Sequence, residues 1–109
     1  YDPGHLSVLK LIQMTARSAD RNKIPVSICG EMAGDTLFTS ILIGMGIRTL
    51  SMSTSRILKV KQYLSQVNSN EVKKISDDIF KQDDNVVIKN ILFNYNKEIN
   101  KRIREKKNG

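Results

Sequence analysis

Between Leu6 and about Arg21 the apolar positions Leu9, Ile12, Ala16 and Ala19 recur at helical spacing, which predicts an amphipathic helix. Pro3 just ahead of it and Ser7 as a candidate cap mark its start; Asn22-Lys23 ends it, since Pro25 cannot sit in a helix interior. The next stretch, Ile24-Pro25-Val26-Ser27-Ile28-Cys29, is short and β-branched, the pattern of a buried strand. Gly30 to Asp35 reads as a loop, with Asp35 as the cap of a second, short helix over Thr36 to Ile43 that Gly44 and Gly46 close. Thr49 to Ser53 alternates as a second strand. Ser53, Thr54 and Ser55 offer caps for a third helix, whose Ile57, Val60, Leu64 and Val67 share one face.

After Asn68-Ser69-Asn70 only helical spacing remains. Val72, Ile75 and Ile79 form one stripe, Lys81 to Asn85 a turn, and Ile88, Ile91, Leu92, Tyr95, Ile99 and Ile103 a second, longer stripe. Two such helices pack as a hairpin, either over the outside of a barrel or against another subunit. The chain thus divides into an α/β part, residues 1–68, and a helical hairpin, residues 69–109.

Strands joined by helical crossovers lie parallel. A parallel sheet needs cover on both faces, which two strands and three helices cannot supply. The missing strands must come from elsewhere, either from residues beyond this sequence or from a second copy. The expectation from the residues alone is therefore an incomplete α/β sheet, and the absence of an initiator Met at Tyr1 suggests a chain cut from something longer.

Composition narrows the setting. Hydrophobic residues make up 39% of 109 residues, and the longest apolar run, Ile41 to Ile47, holds two glycines and falls well short of the roughly 20 residues that cross a bilayer. No signal-peptide pattern opens the chain. The lone cysteine suits a reducing, cytoplasmic compartment. A net charge of +7 would permit contact with nucleic acid, but Lys97, Lys101, Arg102, Arg104, Lys106 and Lys107 crowd the end of the last helix among Glu98 and Glu105, with few aromatics between them. That is the pattern of a solvated helix end. Neither a nucleic acid nor a membrane is expected as a partner.

Cys29 ends an apolar strand just before a glycine-containing loop. In α/β barrels the C-terminal strand ends face the active site. A thiol with its ordinary pKa of about 8.5 is mostly protonated at neutral pH and can donate a proton to a carbanion-like carbon; with a base beside it, it becomes a nucleophile. A small buried hydrophobe is the competing role for a single cysteine. Ser51 and Ser53 share one face of the second strand, opposite Met52, and on an inward face either would approach the same pocket. Gly30 and Glu31 adjoin Cys29. His5 reads as a surface residue. Glu31 and Asp35 are candidates for metal ligands or acid/base groups, and the preferred alternative is that Asp35 caps a helix and Glu31 orients the loop. No metal-ligand spacing appears, and Gly30 with Gly34 matches neither the dinucleotide nor the P-loop fingerprint. Met14, Met32, Met45 and Met52 read as core filler.

These residues carry a resemblance. Cys29-Gly30-Glu31-Met32-Ala33-Gly34-Asp35, then Leu42-Ile43-Gly44-Met45-Gly46, then Leu50-Ser51-Met52-Ser53 resemble the closing segment of the phosphoenolpyruvate-binding TIM barrel in Enzyme I of the bacterial phosphotransferase system, the phosphoenolpyruvate-protein phosphotransferases. Pro25 to Ile28 and Leu50 to Ser53 are slightly closer to the nitrogen-related paralogue. Tyr1-Asp2-Pro3, His5 and Val8 to Ile12 resemble the family's preceding helix. The resemblance implies a (β/α)8 barrel and a reaction in which phosphoenolpyruvate gives its phosphoryl group to an enzyme histidine and on to a phosphocarrier protein, releasing pyruvate. It implies Cys29 as the acid that protonates the enolpyruvate carbon, Mg²⁺ as cofactor and a homodimeric parent.

The family's phosphoacceptor histidine, magnesium ligands and substrate-clamping arginines lie upstream, and no position here matches them. His5 is not that histidine. The isolated segment is accordingly expected to be inactive. Pyruvate phosphate dikinase and phosphoenolpyruvate synthase share Cys-Gly-Glu but continue differently, and they remain the alternative enzymes; a non-catalytic dimerisation segment is the alternative of another class.

Overall fold

The computed structural model describes residue 2 and residues 4–108. Its elements follow in the order α1 (Leu6–Arg21), β1 (Ser27–Cys29), α2 (Glu31–Gly34), α3 (Thr36–Gly44), β2 (Thr49–Ser51), α4 (Thr54–Leu64), α5 (Ser69–Phe80) and α6 (Asn85–Asn108). The helical stripes read from the sequence set nearly all of these boundaries. Tyr1 and Pro3, named above for the entry to α1, lie outside the described residues. The cap of α1 is not Ser7 but His5, whose Nδ1 accepts the Ser7 backbone N–H at 3.1 Å. A ring nitrogen two residues ahead does the work expected of a hydroxyl.

The strands pair in parallel, with Ser27 opposite Thr49, Ile28 opposite Leu50 and Cys29 opposite Ser51. Ile28 and Leu50 pack on the core, whereas Ser27, Cys29, Thr49 and Ser51 are exposed. The expectation of a buried strand therefore fails within this chain. Among the described residues each strand has a single neighbour and one covered face, and Ile24, 61% exposed, stands outside β1 altogether. The fold class seen is a helix-rich α/β arrangement around two parallel strands.

Helix α3 is the centre of the core. Its residues Phe38 to Leu42 are all buried, as befits a helix apolar around its whole circumference. Leu9 of α1, Ile47, Ile79 of α5, and Ile88 and Leu92 of α6 close around it. The core thus draws on both sides of residue 68. A second cluster joins Tyr63 of α4 to Val72, Tyr95 and Ile99 of the hairpin. Val72, Ile75 and Ile79 and the stripe of α6 do face inward as their spacing predicts, and they meet α3 and α4. The face of α4 is shifted: Val60 and Tyr63 are buried, while Ile57 and Leu64 lie partly in solvent. Met14 is not core filler, being 66% exposed, whereas Met32 and Met45 pack on the core.

A polar clasp ties the hairpin together. Arg102 donates to both carboxylate oxygens of Glu71 at 2.8 Å, to the Gln66 carbonyl at 3.2 Å and to Glu98 at 3.3 Å. The Tyr95 hydroxyl donates to Glu71 at 3.0 Å. Arg102 holds the Glu71 carboxyl below its ordinary pKa. The fork of the guanidinium fits a carboxylate with two parallel bonds, the stronger kind of ion pair.

Candidate active site at the strand ends

Because β1 and β2 are parallel and in register, both chains leave the sheet at one edge, with Cys29 and Ser51 side by side. Gly30 then turns the backbone at φ 84°, ψ −155°, a conformation that residues with a Cβ avoid. Where the sequence suggested a loop, Glu31–Gly34 forms a short helical turn, α2. The glycine at its start and Asp35 at its end supply the breaks that were read as a loop. Asp35 caps α3 as expected, accepting the Leu37 N–H at 3.0 Å.

Outside these ends lies an open cleft of about 800 Å³, lined by Gly30, Glu31, Gly34 and Asp35 of the segment after β1 and by Ser51, Met52, Ser53 and Arg56 of the segment after β2. The structure therefore brings four sequence candidates, Gly30, Glu31, Ser51 and Ser53, to one cleft. Met52 lines it too, because β2 stops at Ser51 and strand alternation stops with it. Ser53 opens α4, and its Oγ lies 3.2 Å from that of Ser55. Cys29 is exposed at the edge of this site, next to Gly30, but is not among the residues that line the cleft. His5 does not line it either.

One lining residue escaped the reading of the sequence. Arg56 sits in the first turn of α4, its N–H donating to the Ser53 carbonyl at 3.0 Å. Its signal was available: a cation one turn into the helix that follows a strand end.

The arrangement offers two hydroxyls, two carboxylates and one guanidinium around an open cleft, with an accessible thiol beside it. It can present a proton donor beside a polar, anionic molecule. It does not fit a magnesium ion: among the described residues no group of three His, Cys, Asp or Glu side chains is placed to hold a metal. Nor, among the described residues, is any helix long and apolar enough to cross a membrane.

The site is thus a thiol at the ends of two parallel strands, beside a cleft of hydroxyls and charges. The sequence pattern of the family described as PEP-utilising enzyme, PEP-binding domain matches residues 1–69, and the chain belongs to that family. It is 40% identical over 79 residues to the phosphoenolpyruvate-protein phosphotransferase of Cupriavidus necator, covering 72% of this chain and 14% of that protein. To a protein of Escherichia coli named phosphoenolpyruvate-dependent phosphotransferase system it is 37% identical over 76 residues, 70% of this chain and 10% of that protein. The similarity to the phosphoenolpyruvate-protein phosphotransferase of Mycoplasma genitalium, 28% over 100 residues, covers 92% of this chain and 18% of that protein, so it reaches into the hairpin. The chain spans only between 10% and 18% of the length of such relatives.

Proposed function

We propose that this chain is the C-terminal portion of a TIM-barrel phosphoenolpyruvate-protein phosphotransferase, in which Cys29 is the general acid. The whole protein would transfer the phosphoryl group of phosphoenolpyruvate to one of its histidines and then to a phosphocarrier protein. Breaking the P–O bond leaves the electron pair on the enolate oxygen. As the carbonyl forms, the double-bond electrons take the thiol proton at the methylene carbon, which gives pyruvate and a thiolate that solvent reprotonates. The observation that carries this is the exposed thiol of Cys29 at the common end of two parallel strands, beside the cleft, in a chain of the phosphoenolpyruvate-utilising family.

The unpaired outer edges of β1 and β2 and their exposed outward residues support a sheet completed by further barrel strands. Magnesium would be held by groups outside this chain. A cytoplasmic, homodimeric protein belongs to the same proposal.

The test is Cys29→Ala in the whole protein, with pyruvate formation followed by a coupled assay. Loss of a general acid lowers turnover by about 10²–10⁴, and because the side chain is exposed the fold and melting temperature should be unchanged. Wild-type turnover in the variant would reject the role.

A further inference from the structure

We infer that Arg56 binds an anionic group of phosphoenolpyruvate, an inference that rests on the function proposed above. Arg56 shares the cleft with Glu31 and Asp35 and is the one cation among the described residues lining it. Its stem lies tight against Gly34. A Cβ on residue 34 would come within 3.1 Å of both Cβ and Cγ of Arg56 and 3.3 Å of the Met52 Cβ. A side chain at position 34 would press the arginine back by a few tenths of an ångström.

Three observations favour a ligand over a structural role. Arg102 and Arg48 each spend their guanidinium on the protein, Arg102 on Glu71 and Arg48 on the carbonyls of Ile43 and Ile47. Arg56, among the described residues, makes no side-chain hydrogen bond and no ion pair. Second, it is a cation in the first turn of a helix that has no acidic residue there, a position the helix dipole disfavours; helix stability does not account for it. Third, Asp35 is committed to the Leu37 N–H, and Arg56 is the one cation that this chain's described residues set beside the two carboxylates of the cleft. Phosphoenolpyruvate, whose phosphoryl and carboxylate groups are both anionic, would be drawn to that cation and away from the carboxylates. The planar fork of arginine suits either group, and the Ser51 hydroxyl in the same cleft offers a neutral donor.

The test uses the whole protein carrying Arg56→Gln, Arg56→Lys or, as a charge-matched control on the far end of α6, Arg104→Gln. Arg56→Gln should raise the KM for phosphoenolpyruvate about tenfold or more, as loss of a charge-assisted hydrogen bond does, with kcat within about threefold. Arg56→Lys should recover part of that loss and Arg104→Gln should match wild type. Competitive inhibition by pyruvate and by inorganic phosphate separates the two anionic groups: one inhibitor should weaken in parallel with KM. Calorimetric binding of phosphoenolpyruvate to the same variants gives the result without turnover. A KM and Kd within twofold of wild type for Arg56→Gln, or an equal loss in Arg104→Gln, would overturn the assignment. Failure of the cysteine's role is read separately, from Cys29→Ala, whose affinity for phosphoenolpyruvate should stay intact.

Discussion

Gly44 is where α3 meets α5, and replacing it by Ala measures how closely the hairpin is docked on the α/β part. A Cβ at position 44 would lie 2.7 Å from the Ser76 Cβ, 3.0 Å from the Val72 carbonyl oxygen and 3.3 Å from the Ser76 Oγ. Carbon atoms in contact sit about 3.5–4.0 Å apart, so the helices must separate by about 1 Å at this point. Neither obstacle is the far end of a flexible side chain. Ser76 is buried and the Val72 oxygen is backbone. Overpacking of this kind costs about 1–3 kcal/mol, against a helix-propensity gain of up to about 1 kcal/mol. The gain is smaller here, since Gly44 is the last residue of its helix. A net loss of about 1–2 kcal/mol lowers Tm by roughly 5–15 °C. Circular-dichroism melts and urea titrations of Gly44→Ala, Ser76→Gly and the double variant supply the check. Removing the Ser76 Cβ should return part of the loss, a coupling of about 0.5 kcal/mol or more. A Gly44→Ala protein as stable as its parent, or strictly additive losses, would refute the close α3–α5 contact.

Three further outcomes follow from the structure. Glu71→Gln should destabilise the hairpin by about 1 kcal/mol, a figure kept small because the Glu71 side chain is 38% exposed. Since Arg102 lowers the folded-state pKa of Glu71, the clasp's contribution is complete above the unfolded glutamate value of about 4.3 and is lost as pH falls through the folded value. Urea midpoints from pH 7 down to pH 3 should therefore converge for wild type and variant, and a gap that widens on acidification would contradict the clasp. Gly30→Ala should cost about 1–2 kcal/mol through its positive φ alone, because nothing lies within 4 Å of the added methyl; an unchanged melting temperature would show that the turn is not held at that angle. Finally, these 109 residues alone should form no pyruvate from phosphoenolpyruvate, and measurable product would show that the segment holds a complete site.

Much of this fold is written in short-range patterns. The stripes of α1, α5 and α6 and the cap at Asp35 follow from spacing and from side-chain chemistry within a few residues, and they stand where the sequence places them. What failed depends on what lies across space. The strand at Ile24 to Cys29 was read as buried because β-branched residues are usually covered, yet cover is a property of neighbours, and β1 has a single partner here. The buried face of α4 turned from Ile57 and Leu64 to Val60 and Tyr63 because the hairpin, not the sheet, decides which side is covered. His5 capping α1 was hidden because imidazole is rarely counted among capping groups. Of the residues singled out from strand ends and glycines, Gly30, Glu31, Ser51 and Ser53 line the cleft, and Cys29 lies beside it without lining it. Arg56 went unnoticed although a cation one turn into the helix after a strand is a local signal; its close approach to Gly34 is what only the fold reveals.

The central claim is that the Cys29 thiol delivers a proton to the carbon that becomes the methyl group of pyruvate. Its most direct test is the exchange of pyruvate methyl hydrogens with deuterium oxide, followed by proton NMR, in the whole protein and its Cys29→Ala variant. Wild type should accelerate the exchange and the variant should fall to the rate without enzyme, while still binding pyruvate. Exchange at the wild-type rate in Cys29→Ala would contradict it.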